Sequence, residues 1–131
     1  MATTAIATEL LVTNTISADL PDAGGGTGNG IVATTPADGW VISPPSGVAF
    51  DERLILRLTA DATGDTFTVT AGDRYPAQRA DLGNLALVLA ASDTRFVCIE
   101  TSRFLQNDGT IVVTATDAGS ALTALFLPKA P

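Results

Sequence analysis

Short apolar runs that alternate with period two, each closed by a cluster of Gly, Pro, Asp or Asn, constrain this chain more than any other feature. Arg53 to Ala60 reads RLILRLTA, which sets Leu54, Leu56 and Leu58 on one face and Arg53, Ile55, Arg57 and Thr59 on the other. Thr66 to Ala71 repeats the pattern with Phe67, Val69 and Ala71 facing inward. Successive side chains of a strand point to opposite faces, so both runs read as half-buried strands. The polar loop Asp61-Ala62-Thr63-Gly64-Asp65 between them predicts a hairpin with a solvated turn. From Arg95 to Thr116 the sequence RFVCIETSRFLQNDGTIVVTAT predicts a strand ending at Ile99, a short strand at Arg103-Phe104-Leu105, a turn at Asn107-Asp108-Gly109 and a strand from Ile111. In that stretch Phe104 and the run from Ile111 face a core, while Gln106, Asp108 and Thr110 face water. Gly109 supplies the positive φ of the turn.

The remaining segments follow the same grammar. AIATELLVT, residues 5–13, reads as a first strand whose order depends on a partner, and Gly24 to Gly30 as part of an exposed loop. The glycines of that loop lack the G-x-G-x-x-G spacing, and no Gly-Lys-Ser/Thr follows, so it is not a phosphate cradle. Short strands are expected at 30–33, 39–42, 84–90 and 121–127. The total is eight to ten strands with no amphipathic helix, which predicts an all-β fold: an antiparallel β-sandwich or jelly-roll-like barrel in a single domain. Residues 1–15 form an arm or first strand, 16–30 the Gly-rich loop, 31–128 the sandwich and 129–131 a tail. At 131 residues the chain is long enough to bury a core without a staple.

The chain has no histidine, one cysteine (Cys98) and one lysine (Lys129). Ser-His-Asp and Cys-His machinery, thiolate clusters and most zinc sites are therefore excluded. No cofactor and no metal are expected. Asp61 and Asp65 are too few ligands for calcium. The best lone candidate for carboxylate chemistry is Glu100, which Ile99 would desolvate, although a partner role for Arg95 or Arg103 accounts for it more simply. Cys98, between Val97 and Ile99, is expected to be buried and inert. Trp40 is expected to anchor the core; its alternative role is a stacking platform for a sugar or an interface hot spot.

Fourteen acids against seven basic residues give a formal charge of −7, which disfavours nucleic acid. Yet charged residues are only 16% of the chain and the mean hydropathy is +0.32, so the expectation is either that both faces of its sheets are covered or that part of its exterior is buried against other chains. The run Leu85 to Ala91 is too short to cross a membrane, and MATTAIATELLVTNT lacks the basic region of a secretory signal, so a soluble cytoplasmic product is expected.

The run Gly72 to Gly83, the following LALVLAASDTRFV, the segment SRFLQNDGTIVV and the terminal ALFLP resemble small proteins encoded near the major capsid genes of tailed bacteriophages, the head decoration or cement proteins. The resemblance spans residues 50–128. It implies a subunit made in the host cytoplasm that binds the outside of the capsid lattice, often as a homotrimer, and reinforces it. Candidate contacts are residue types that anchor interfaces or are costly to leave free: Leu10 and Leu11 in the arm, and Arg74, Tyr75, Pro76 and Arg79 in the 72–83 loop. The alternatives are a tail-tip or carbohydrate-binding module using Trp40 or Tyr75, and a hydrolase using Glu100.

Overall fold

The computed structural model describes residues 4–12, 14–16, 30–33, 37–45, 50, 53–73, 83–117 and 119–128. Among these residues ten strands form two sheets: β1 (Thr4–Ala7), β2 (Glu9–Leu10), β3 (Ile31–Val32), β4 (Trp40–Ser43), β5 (Leu54–Thr59), β6 (Asp65–Val69), β7 (Leu85–Leu89), β8 (Thr94–Cys98), β9 (Ile111–Ala115) and β10 (Ala121–Phe126). One helical turn, α1 (Thr101–Phe104), lies between β8 and β9. The first sheet runs β1-β4-β9-β6-β7, and the second runs β2-β10-β5-β8 with β3 beside β10. The architecture is an open sandwich, not a closed barrel.

The alternating runs bury the faces that their sequence selects. Leu54, Leu56 and Leu58 of β5 are at most 1% exposed, and Phe67 and Val69 of β6 are fully buried opposite them. Trp40 is also fully buried and stacks on Phe67 with ring centroids 5.8 Å apart. Its indole Nε1 donates to the Ile31 carbonyl at 2.9 Å, so the polar handle of the largest core side chain is satisfied between the layers. The backbone before it leaves no room for a side chain. Gly39 has φ +65°, and a Cβ there would run into the Val113 and Thr114 backbone of β9.

The structure corrects the expected hairpin between β5 and β6. β5 pairs with β10 and β8, whereas β6 pairs with β7 and β9, so residues 60–64 form an arch from one sheet to the other. Two runs with apolar alternation satisfy it equally well side by side in one sheet or face to face across a core about 10 Å thick. Gly64, at φ 84°, turns the chain across that gap. The short strand expected at 103–105 is instead α1 and its C-cap. Thr101, Phe104 and Leu105 are buried, a helical i, i+3, i+4 spacing, and Leu105 N–H donates to the Thr101 carbonyl at 2.9 Å. Gly109 does take positive φ, at 85°.

The sheets are mixed, because β1 pairs with β4 and β2 with β10 in parallel while the other pairs are antiparallel. The N-terminal stretch is therefore a working part of the sandwich. Ile6 is 2% exposed in the core, and at Thr8 the chain steps from the edge of the first sheet to the edge of the second. Thr8 donates to the Ser43 carbonyl through both N–H (3.2 Å) and Oγ1 (2.6 Å), and Leu11 N–H then donates to the Phe126 carbonyl at 2.9 Å. One lateral side of the sandwich is thus closed by the chain itself.

Candidate interaction surfaces

The other lateral side carries the edge strands β7 and β8, and among the described residues no strand pairs with the outer edge of either. Between them lies a groove of about 410 Å³. Leu58, Leu87, Leu89 and Val97 line it from the core, Ala86, Val88 and Phe96 from the outer faces, and Asp93 and Arg95 at one end. Val88 is 79% exposed and Phe96 65%. Natural edges are commonly blunted by lysine, proline or a bulge. β8, with the sequence TRFVC, has no lysine or proline. Its charge is Arg95, whose guanidinium reaches the Asp93 carboxylate at 3.3 Å in an exposed pair.

β8 also corrects the expectation for Cys98, which is exposed. The register pairs Cys98 with Ile55 and Phe96 with Arg57, the outward set of β5, while Val97 and Arg95 pair with the inward Leu56 and Leu58. Apolar neighbours in sequence misplace the thiol because Val97 and Ile99 point the opposite way.

The outer face of the first sheet forms a second surface. Register places Ala5 and Ala7 of β1, Val41 and Ser43 of β4, Val112 and Thr114 of β9, Thr66 and Thr68 of β6, and Ala86 and Val88 of β7 on it. None of these side chains is charged. The corresponding face of the second sheet carries Arg57 and Glu9. Charge is concentrated instead in the loops at the ends of the strands, where Asp61, Asp93 and Asp117 lie at one end and Asp73 and Asp108 at the other.

Asp65 departs from this arrangement and from the solvated role expected of it. It is 5% exposed and opens β6 in phase with Phe67 and Val69. Its Oδ1 accepts from Thr66 N–H (2.6 Å), Thr116 N–H (2.9 Å), Thr116 Oγ1 (2.6 Å) and Asp117 N–H (3.3 Å). Burial pushes its pKa up, but the Ser120 hydroxyl, the Thr116 hydroxyl and the Thr116 and Thr66 N–H groups together outweigh that and hold it below 3.8. Asp65 thus ties the start of β6 to the end of β9.

The sequence-derived contacts fare unequally. Leu10 is 39% exposed and pairs with Phe126, and Leu11 is half-buried beside it. Arg74, Tyr75, Pro76 and Arg79 lie outside the described residues, as does the Gly-rich loop at 17–29. Trp40, being fully buried, offers no face to a sugar. Glu100 is half-buried at the N-cap position of α1 and makes no side-chain capping bond. Among the described residues no three His, Cys, Asp or Glu side chains converge as a metal site, and no helix is long and apolar enough to cross a membrane. Sequence reasoning missed the β7–β8 edge and the uncharged face. The signal for the face was legible in the outward set itself, since Thr66, Thr68, Ala86, Val88, Val112 and Thr114 contain no charge. No protein-family model, curated protein or solved structure gives a significant match to this chain.

Proposed function

We propose that the protein is a non-enzymatic structural subunit that binds the outer surface of a bacteriophage capsid and stabilises it. The observation that carries an assembly role is the uncharged outer face of the first sheet. A chain with formal charge −7 presents ten outward strand positions there with no ionic side chain. Depletion of charge is the compositional mark of an interface core, and threonine, valine and alanine lose little side-chain entropy when covered. The capsid as the partner comes from the resemblance of residues 50–128 to head decoration proteins. Many copies on a lattice hold by avidity, so a flat contact of modest strength suffices. The setting is then the virion surface, after synthesis in the host cytoplasm.

The test is to mix the purified protein with undecorated phage capsids and image the product. Added density in a regular array on the outer surface is the expected result. Thr68→Lys and Val112→Lys, on half-buried outward positions, should retain the wild-type unfolding transition and reduce occupancy at least tenfold. Absence of bound density with the wild-type protein removes the capsid reading. Full occupancy by both variants moves the contact off this face.

A further inference from the structure

We infer that the free edge of β8 is a self-association site, at which a second copy of this chain adds its own β8 antiparallel about Phe96. The inference does not depend on the capsid reading. It begins with the direction of the backbone groups. Ile99 N–H donates to the Leu54 carbonyl at 3.2 Å, and Ala60 N–H to the Asp93 carbonyl at 2.9 Å. With the register Leu56↔Val97 and Leu58↔Arg95, these bonds fix the alternation of the ladder. Residues 95 and 97 turn their N–H and C=O groups toward β5, as do the Asp93 carbonyl and the Ile99 N–H. The groups of Thr94, Phe96 and Cys98 therefore point away from the sheet, into the open edge.

That set is symmetric about Phe96, and the symmetry selects the occupant. An antiparallel strand satisfies an edge fully only when its own outward-pointing groups fall opposite. A second β8 rotated by a two-fold axis at Phe96 sets Thr94 against Cys98 of the other copy, Phe96 against Phe96, and Cys98 against Thr94. All three pairs are of the doubly hydrogen-bonded kind, so every free N–H and C=O of both strands is used. Moving the axis by one residue to 95 or 97 leaves one of the three residues in each copy without a strand residue opposite it. Side chains agree with this register. The outward row becomes Thr·Cys, Phe·Phe, Cys·Thr, uncharged throughout, and the exposed Phe96 rings meet as a cross-strand aromatic pair. Arg95 falls opposite Val97 of the other copy while Asp93 stays within 3.3 Å of it, so no like charges oppose each other directly in a molecule that is otherwise acidic. The two-fold makes the contact isologous and closed, which turns an edge otherwise open to indefinite strand addition into a dimer.

The register makes a covalent test available, because the single native cysteine lies in the strand. Doubly hydrogen-bonded partners have Cα atoms about 5.5 Å apart, within reach of a disulfide. Thr94→Cys, with Cys98 retained, should therefore form an intermolecular disulfide under mild oxidation and run as a covalent dimer. Wild-type protein should not, since its two Cys98 residues would sit four positions out of register, roughly 14 Å along the strand. Thr94→Cys combined with Cys98→Ser should not either. In light scattering across a concentration series the wild-type protein should pass from monomer to dimer, and Phe96→Lys should weaken that association at least tenfold while unfolding at the wild-type temperature. Labelling of Cys98 by a thiol reagent should be rapid in dilute protein and at least tenfold slower where dimer predominates. A monomer at every concentration, a trimer that does not cross-link through residues 94 and 98, or equal cross-linking in the Cys98→Ser control would each overturn the inference. None of these outcomes depends on capsids, so the capsid reading stands or falls separately by imaging.

Discussion

Asp65 is a buried carboxylate that bonds two strands of the first sheet together. Its folded-state pKa lies below the ordinary value of 3.8, so the ionised form is favoured by folding. The resulting stability is fully present above the unfolded-chain value and is lost as pH falls through the lower folded value. Near pH 7, Asp65→Asn should cost about 1.5–3 kcal/mol, the scale of hydrogen bonds to a charged group. At a pH well below 3.8 the gap between the two proteins should shrink, because the wild-type carboxylate becomes protonated as pH falls through its lowered folded value. Urea unfolding at both pH values measures this, and a gap of constant size would assign the loss to packing instead. The sequence pattern held the clue to this residue. Asp65 stands two positions before Phe67 and four before Val69, so period two places it inward, while its setting among Asp61, Thr63 and Gly64 suggests a wet turn. Pattern phase decided the outcome over local composition.

At the level of elements, strands were more legible than their pairing. Burial in β5, β6 and β9 follows the alternation closely, since a half-buried strand has little freedom over which face it hides. Whether two such strands lie beside or across from one another depends on the direction the loop takes, and Asp-Ala-Thr-Gly-Asp serves either geometry. The same ambiguity let Arg103-Phe104-Leu105 read as a strand when the buried set Thr101, Phe104, Leu105 is helical in spacing. For the candidate site the gap is larger, because which edge of a sheet remains open is a property of the finished topology. The N-terminal strands give a direct test of their place in it. Deleting residues 1–10 removes Ile6 from the core and uncovers the outer edges of β4 and β10, so the loss should be one of stability. A fall in melting temperature of about 10–20 °C is expected from roughly 3–5 kcal/mol, together with loss of the sharp transition. A deletion variant that melts like the full chain would make β1 and β2 dispensable decoration of a complete sandwich.

For the whole molecule, the notable property is how often the chain changes layer. Every connection between successive strands crosses between sheets except β2 to β3 and β6 to β7. Few contacts are therefore local in sequence, and closure entropy must be met before the core repays it. Refolding from urea should accordingly be slow for 131 residues, on the order of milliseconds to seconds, and stopped-flow tryptophan fluorescence will follow it because Trp40 lies between the layers. A microsecond relaxation would contradict this. The same lacing governs how the folded subunit responds to force. In a sandwich of simple hairpins a pull normal to the sheets meets only side-chain packing, and the layers part. Here such a pull is borne along covalent backbone at each crossing, including the Thr8 step on one side and the turn from β7 to β8 on the other. Tension applied across the layers should be met by an abrupt yield of the whole domain at a single high load, with no earlier peeling of one sheet from the other.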